Sequence, residues 1–360
     1  MDTDILIIGA GLSGLALAEA LVRKGQAPLL VEGRGRLGGR IKTFQVGDAS
    51  FDLGPSWFWP GQPRIAALVE RFGLTRFDQF AQGILSFEDE RGQVQRGRGF
   101  ASMEGSWRLQ GGLSKLVAAL ASSVPDRCIR LNSEVVKVSR LEDAITATFA
   151  DGNMISARRV VLALPPRIAA QLMFEPALPH DTLRAMQAVP TWMAGQAKAV
   201  AVYDRPFWRE AGLSGDAMSR HGPLVEVHDA SPHAGGPYAL FGFVGVPPTH
   251  RQDKPALESA VIAQLARLFG PEAADPREFT IKDWAEDPFT ATQWDQTALA
   301  AHPDYGLPHA MQGLWDDRLL FAGTEVAGEF GGYIEGALEA AEQALNLLTA
   351  DLSSAQGQIS

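Results

Sequence analysis

The chain has one cysteine, Cys128, among 360 residues. A disulfide within the chain is therefore impossible, which fits a reducing compartment and a cytoplasmic protein. Positive charge is also scarce. A net charge of −10 argues against nucleic acid or an anionic membrane as the main partner. The seven histidines are scattered without metal-ligand spacing, so no metal is expected. No apolar run of about 18 residues appears after the opening stretch, so no membrane span is expected. Residues 5–22 are apolar enough to resemble a signal peptide. The start carries Asp2 and Asp4 instead of a basic region, however, and the stretch reads as a strand and a helix. Repeats and low-complexity linkers are missing too. With 46% apolar residues, this length suits one large or two interleaved domains.

What is present begins at once. Asp4-Ile5-Leu6-Ile7-Ile8 reads as a buried strand, and Gly9-Ala10-Gly11-Leu12-Ser13-Gly14 follows it directly. Leu15 to Lys24 has helical apolar spacing and stops at Gly25. Pro28 to Val31 is a second strand, and Glu32 ends it. Gly9 permits the tight turn, Gly11 lets the backbone approach a pyrophosphate, and Gly14 lets helix and strand pack closely. Free N–H groups and the helix dipole favour phosphate at that helix start. Glu32 can accept hydrogen bonds from ribose hydroxyls, which suits FAD or NAD and excludes a 2′-phosphate.

Gly33-Arg34-Gly35-Arg36-Leu37-Gly38-Gly39-Arg40 comes next. It reads either as a solvated basic turn or as a second phosphate clamp, with arginine forks and close glycine backbone. Helices are expected over 63–72, 112–123 and 255–269, with strands over 129–138, 144–149, 154–157 and 159–164. The chain closes on a strand, Arg318 to Phe321, then Ala322-Gly323-Thr324-Glu325, then Gly331-Gly332 and a helix from Tyr333 to Leu348. Lys198 stands in an apolar strand, 195–203. It is either an edge-strand lysine reaching solvent or a buried lysine that needs a partner.

These motifs resemble those of the flavin-containing amine oxidases, the relatives of monoamine and polyamine oxidases. The opening motif through Arg40, Leu162-Ala163-Leu164-Pro165, the lysine strand with Tyr203 and Pro206-Phe207-Trp208-Arg209, and the closing 321–325 and 332–337 motifs carry the likeness. It implies an α/β fold: a Rossmann-type, glutathione-reductase-like FAD-binding domain interleaved with a smaller α+β substrate domain. The segments expected are 1–60, 108–176 and 288–350 for FAD, 61–107 and 177–287 for substrate, and 351–360 as a frayed tail. The cofactor-binding residues implied are Gly9, Gly11, Ser13, Gly14, Glu32, Arg34, Gly38, Gly39, Arg40, Gly54, Pro55, Ser56, Val135, Gly323, Glu325, Gly332 and Ile334. Val135 would meet adenine through its backbone, and the Ile334 N–H would meet the flavin at a helix N-terminus, where negative charge is stabilised. Lys198 would hold a water at flavin N5, and Tyr333 and Trp294 would form two aromatic walls around the amine.

The function implied is oxidation of a primary or secondary amine, with hydride transfer to flavin and oxygen reduced to peroxide. A carbon–carbon oxidase of the same superfamily, of porphyrinogen or carotenoid type, or a non-catalytic flavin redox sensor are the alternatives. Gln293 stands where some relatives attach flavin through cysteine, so non-covalent FAD is expected. The position near Trp57 lacks the arginine that binds a substrate carboxylate in amino-acid oxidases. Arg64 is close by, but fits a helix start better, so a substrate without a carboxylate is expected. The stretch from Pro60 to the Gly112 helix is short for the family. A monomer or homodimer is expected.

Overall fold

The computed structural model describes residues 1–297, 299 and 301–356, without the side chains of 351–356. Two sheets organise it. The first has eight strands, and its centre is the opening strand, Thr3–Ile8. That strand lies parallel to Leu29–Val31 on one side and to Met154–Leu162 on the other. Ile5, Leu6, Ile7 and Ile8 are all buried. A central parallel strand is covered on both faces, so it reads as a continuous apolar run. The helix Leu12–Arg23 buries Leu15, Leu17, Ala18 and Leu21 on one face of the sheet. It is followed by Gly25 in the left-handed region, at φ 78°.

Met154–Leu162 is one strand rather than the two expected. Its first half pairs antiparallel with Ala144–Phe149, and its second half pairs parallel with Leu319–Phe321. The expected strand over 129–138 is broken, because Asn132 takes φ 51°; Ile129–Arg130 and Val135–Leu141 pair separately. The last helix, Ile334–Gln356, starts after Tyr333 and runs beyond 350, so 351–356 continue the helix instead of fraying. Residues 357–360 lie outside the described residues.

The second sheet has seven strands, drawn from Ile84–Glu88, Val94–Arg96 and 197–283. All seven residues of its strand Ala197–Tyr203 are buried. Ala197, Ala199, Ala201 and Tyr203 face the helix Lys254–Phe269. Val200 and Val202 face the hairpin of strands Thr43–Val46 and Ala49–Asp52. Asp253 caps the covering helix by accepting from the Ala256 N–H at 3.0 Å. Two segments from the expected substrate stretches pack with the first sheet: Ile65 and Val69 of helix Pro63–Arg71, and Met186 of helix His180–Ala188. The latter helix and the strand Leu213–Ser219 were not anticipated from sequence.

Candidate active site

Three parallel strands end side by side, with Ile8 opposite Leu162 and Leu162 opposite Phe321. Their carboxyl ends form one rim, the place where open α/β sheets hold ligands. Gly9 to Gly14 lies on that rim. A Cβ at Gly14 would sit 2.0 Å from the Gly9 carbonyl oxygen, and one at Gly9 would sit 2.7 Å from the Ala163 oxygen. A Cβ at Gly323 would lie 2.3 Å from the Leu164 oxygen. The Ser13 hydroxyl donates to the Ala322 carbonyl, joining the first turn to the last strand exit. Gly39 faces Gly11, where an added Cβ would come within 3.1 Å of the Gly11 Cα. The two glycine turns thus make a cradle of bare backbone, which fits a dinucleotide diphosphate.

Glu32 is buried, and its two oxygens accept from the Ala10 and Arg34 N–H groups, each at 2.9 Å. Oε1 also accepts from the Arg34 guanidinium at 3.4 Å, and Oε2 retains a lone pair for a ribose hydroxyl. The chain crossing this acid includes Ser133, whose N–H donates to the Glu32 carbonyl at 2.8 Å. Val135 begins its strand two residues later. The arginines divide. Arg34 turns inward to Glu32 and Asp287, and donates to Thr290 at 3.1 Å. Arg36 donates to the carbonyls of Leu37, Gly39 and Ile41. Arg40 faces Glu325 at 2.6 Å. Burial works against the Arg40 charge, but the Glu325 carboxylate outweighs it and holds its pKa above the ordinary value. Glu325 is fully buried, and the Arg40 guanidinium is its ion-pair partner among the described residues. A buried carboxylate ion-paired with a partly exposed arginine, at the edge of a glycine cradle, fits a polar cofactor lying over it.

Lys198 is 3% exposed, in a strand flanked on both sides, so the edge-strand reading is excluded. Its Nζ donates to Ser56 Oγ at 2.6 Å and to the Gly54 carbonyl at 3.1 Å. It also lies 3.9 Å from the Phe241 ring centre and 5.6 Å from that of Trp57. Burial pushes the Lys198 ammonium down to about 7; Asp52 opposes that shift and Arg108 adds to it. Burial likewise pushes Asp52 up to about 6, against the pull of Lys198 and Arg108. The lysine therefore sits near neutrality, poised to exchange a proton, in a wall of aromatic rings.

Tyr333 precedes the last helix and is 39% exposed. Its ring stacks on His302 at 4.7 Å and 13°, and meets Trp59 edge-on at 6.2 Å. Trp192 packs on His302 at 4.8 Å. The structure does not bring Trp294 to Tyr333. Its side chain is 58% exposed on the turn Gln293–Asp295. A capping box between Thr292 and Asp295 fixes that turn, and Arg167 holds Asp295 at 2.7 Å. His302, an isolated histidine in sequence, takes the face of Tyr333 instead.

Against this geometry, the comparisons with known proteins agree. The profile described as flavin containing amine oxidoreductase matches residues 12–101 and 81–345. The chain belongs to this family. AofH of Mycobacterium tuberculosis, which carries the provisional name flavin-containing monoamine oxidase, is 25% identical over 95% of each chain. Putrescine oxidase of Kocuria rosea is 23% identical, over 94% of this chain and 93% of its own. Among solved structures, a wild-type putrescine oxidase bound to putrescine superposes with a TM-score of 0.82 at 22% identity, covering 97% of this chain and 99% of the other. The flavin amine oxidoreductase fold is thus retained in a shorter chain: the AofH alignment runs over 453 positions, against 360 residues here.

Several residues that shape this family member's site escaped sequence reasoning. Asp52 accepts from the Leu113 N–H at 3.1 Å and from Thr43 at 3.2 Å, tying the hairpin to the following helix just before Gly54. Glu335 is fully buried and accepts from the Arg64 and Ile65 N–H groups, each at 2.9 Å, capping helix Pro63–Arg71. Glu339 accepts from the N–H groups of Gly328, Glu329 and Phe330 at 2.9–3.1 Å and fixes the approach to Tyr333. Glu335 and Glu339 sit four apart on one helix face amid glycine and alanine. That small-residue setting was the available signal that the face is buried. Arg64 bonds Glu335 and Glu342, as a helix-start residue does, and makes no carboxylate clamp.

Proposed function

We propose that this protein holds FAD non-covalently and oxidises a primary or secondary amine. The buried Lys198 carries this reading, because it sets a titratable nitrogen, with its pKa lowered to about 7, on the 54–56 loop and within an aromatic wall. Bound FAD supplies the acceptor for a hydride equivalent from the amine α-carbon, and oxygen takes the electrons onward to give hydrogen peroxide.

The chain's own residues do the rest. Gly9, Gly11, Gly14, Gly38 and Gly39 admit the diphosphate to bare backbone, with Ser13 and Gly323 closing the rim. Glu32 receives ribose hydroxyls, Val135 lies toward adenine, and Arg40 with Glu325 lies along the polar middle. The Gly332 turn delivers Ile334 at the start of the last helix, where its dipole stabilises negative charge. Gly54, Pro55 and Ser56 form the loop that Lys198 braces, so Lys198 can position a water and pass a proton. Tyr333 forms one aromatic wall, which restricts how an amine can approach. We assign the opposing contact to His302 and Trp59, the rings that meet Tyr333. Gln293 offers no thiol for covalent attachment, and no arginine lies at Trp57 to hold a carboxylate. A cytoplasmic setting accords with the single cysteine.

The test is anaerobic. Purified yellow protein is mixed with a panel of amines and amino acids, and the oxidised-flavin absorbance is followed. Bleaching by amines but not by amino acids is expected, with flavin released by acid precipitation. Bound flavin that no amine reduces would favour the redox-sensor reading.

A further inference from the structure

A buried lysine that exchanges a proton must be satisfied both with its charge and without it. No carboxylate pairs with Lys198 among the described residues. Its nitrogen meets the Ser56 hydroxyl at 2.6 Å, the Gly54 carbonyl at 3.1 Å and the face of Phe241, whose ring centre lies at 3.9 Å. The carbonyl and the ring can only receive an N–H. A hydroxyl both donates and accepts. The ammonium therefore gives one N–H each to the carbonyl, the hydroxyl oxygen and the ring. The neutral amine gives its N–H groups to the carbonyl and the ring, and its lone pair receives the Ser56 O–H. Ser56 is 3% exposed, and among the described residues Lys198 Nζ is the hydrogen-bond partner of its Oγ.

The loop that carries Ser56 is fixed on both sides. A Cβ on Gly54 would lie 2.0 Å from the Arg40 carbonyl oxygen. Trp57 donates from Nε1 to Gln79 at 2.8 Å, and Phe58 and Trp107 exchange backbone hydrogen bonds. The charges around Lys198 lie further off. Asp52 favours its charge and Arg108 disfavours it. Lys282 stands opposite Lys198 on the next strand and turns to Asp287 at 3.5 Å. Behind the Trp57 and Phe241 rings sits His228, between Asp216 at 2.7 Å and Glu226 at 2.9 Å.

We propose that Ser56 is the positioning residue of Lys198: its hydroxyl donates to the neutral amine and accepts from the ammonium, so the lysine gains and loses a proton without leaving a buried polar group unpaired. The inference rests on the amine-oxidation reading. The hydroxyl turns over as the lysine changes charge, and its own O–H bond stays intact. In the neutral form the serine also fixes the direction of the nitrogen lone pair.

The experiment follows anaerobic flavin reduction by one reactive amine against pH in the wild type, Ser56→Ala, Lys198→Met and the double variant. Ser56→Ala removes a charge-assisted acceptor from the ammonium, so the limb near pH 7 should move to lower pH by about half a unit. Above the limb the lysine is neutral in both proteins, and the rate should fall about tenfold because its lone pair has lost its donor. In the Lys198→Met background the same substitution should change the rate less than about twofold. Ser56→Thr keeps the hydroxyl and should restore both limb and rate. A second measurement needs no turnover: the NMR resonance of the Lys198 ε-methylene, assigned by its loss in Lys198→Met, should titrate at lower pH in Ser56→Ala than in the wild type. Flavin absorbance and Tm report whether each variant is folded and loaded. If Ser56→Ala is not, Ser56→Cys, a weak donor and acceptor, takes its place in both measurements. An unmoved limb and resonance, or an equal fall in rate with and without Lys198, overturns the proposal and leaves amine oxidation standing. So does a threonine variant that behaves like alanine. Failure of every amine to bleach the wild-type flavin overturns the underlying reading, and the resonance then decides the serine–lysine pair by itself.

Discussion

The two sheets build their parts of the site from opposite materials. The first uses backbone: glycines with no room for a Cβ, carbonyls at strand ends, and free N–H groups at a helix start. The second uses buried side chains: Lys198 braced on Ser56, and His228 between two carboxylates. A bare-backbone cradle binds what every relative of the fold must bind. Buried charges on a sheet face set the chemistry, because each depends on its neighbours for its protonation and its partners.

The sharpest way to break the first half is a single methyl group. Gly14→Ala would place a Cβ 2.0 Å from the Gly9 oxygen. The turn must open to admit it, so the purified protein is expected to be colourless and destabilised by about 1–3 kcal/mol. Full flavin occupancy at wild-type Tm would show that the cradle is looser than its contacts imply.

In the second half charge matters more than shape. The Asp52 carboxylate holds the Lys198 pKa up against burial and Arg108. Asp52→Asn should therefore move the limb near pH 7 in the rate of flavin reduction to lower pH, by about one unit. An unmoved limb would assign that ionisation to another group. The stability effect of Lys198 itself has a defined sign. Its folded pKa lies below the unfolded one, so the unfolded chain binds more protons between about 7 and 10.5, and Lys198 makes stability rise with pH across that window.

These contrasts explain what was legible in the sequence. Gly9 to Glu32 and Gly323 to Gly332 could be read because backbone geometry restricts residue type: a left-handed or crowded position leaves only glycine. Lys198 was visible only as a polar residue in an apolar strand, and whether that strand was an edge depended on pairings with 238–244 and 278–283. The pairing of His302 with Tyr333, and of Asp216 and Glu226 with His228, brings together residues from separate strands or loops with no local spacing rule. Trp294 was misplaced for the same reason. A three-residue turn, fixed by Thr292, Asp295 and Arg167, decides where that ring points. The unforeseen helix His180–Ala188 contains polar His180, Asp181 and Arg184, and only Thr182 and Met186 are buried. So few buried positions give a weak periodic signal.

Smaller effects probe the join between the halves. Glu339→Ala removes the acceptor for three N–H groups ahead of Tyr333. It should lower stability by about 3 kcal/mol and slow flavin reduction less than about tenfold. Thermal unfolding and rapid mixing measure the two separately. Smallest is Arg64→Ala. Its pair with Glu342 is exposed, and the buried Glu335 keeps the backbone N–H donors of positions 64 and 65, so the loss should be at most about 1 kcal/mol, with KM for amines within about twofold of wild type. A large rise in KM would return Arg64 to the substrate site.

The central claim is that Lys198 takes part in amine oxidation rather than merely filling a wall. Lys198→Met keeps the length and loses the proton. Rapid mixing of the flavin-loaded protein with a reactive amine, without oxygen, at pH 8 measures the reduction step alone. The account predicts a rate about a hundredfold below wild type at unchanged flavin content. A rate within twofold of wild type would contradict it.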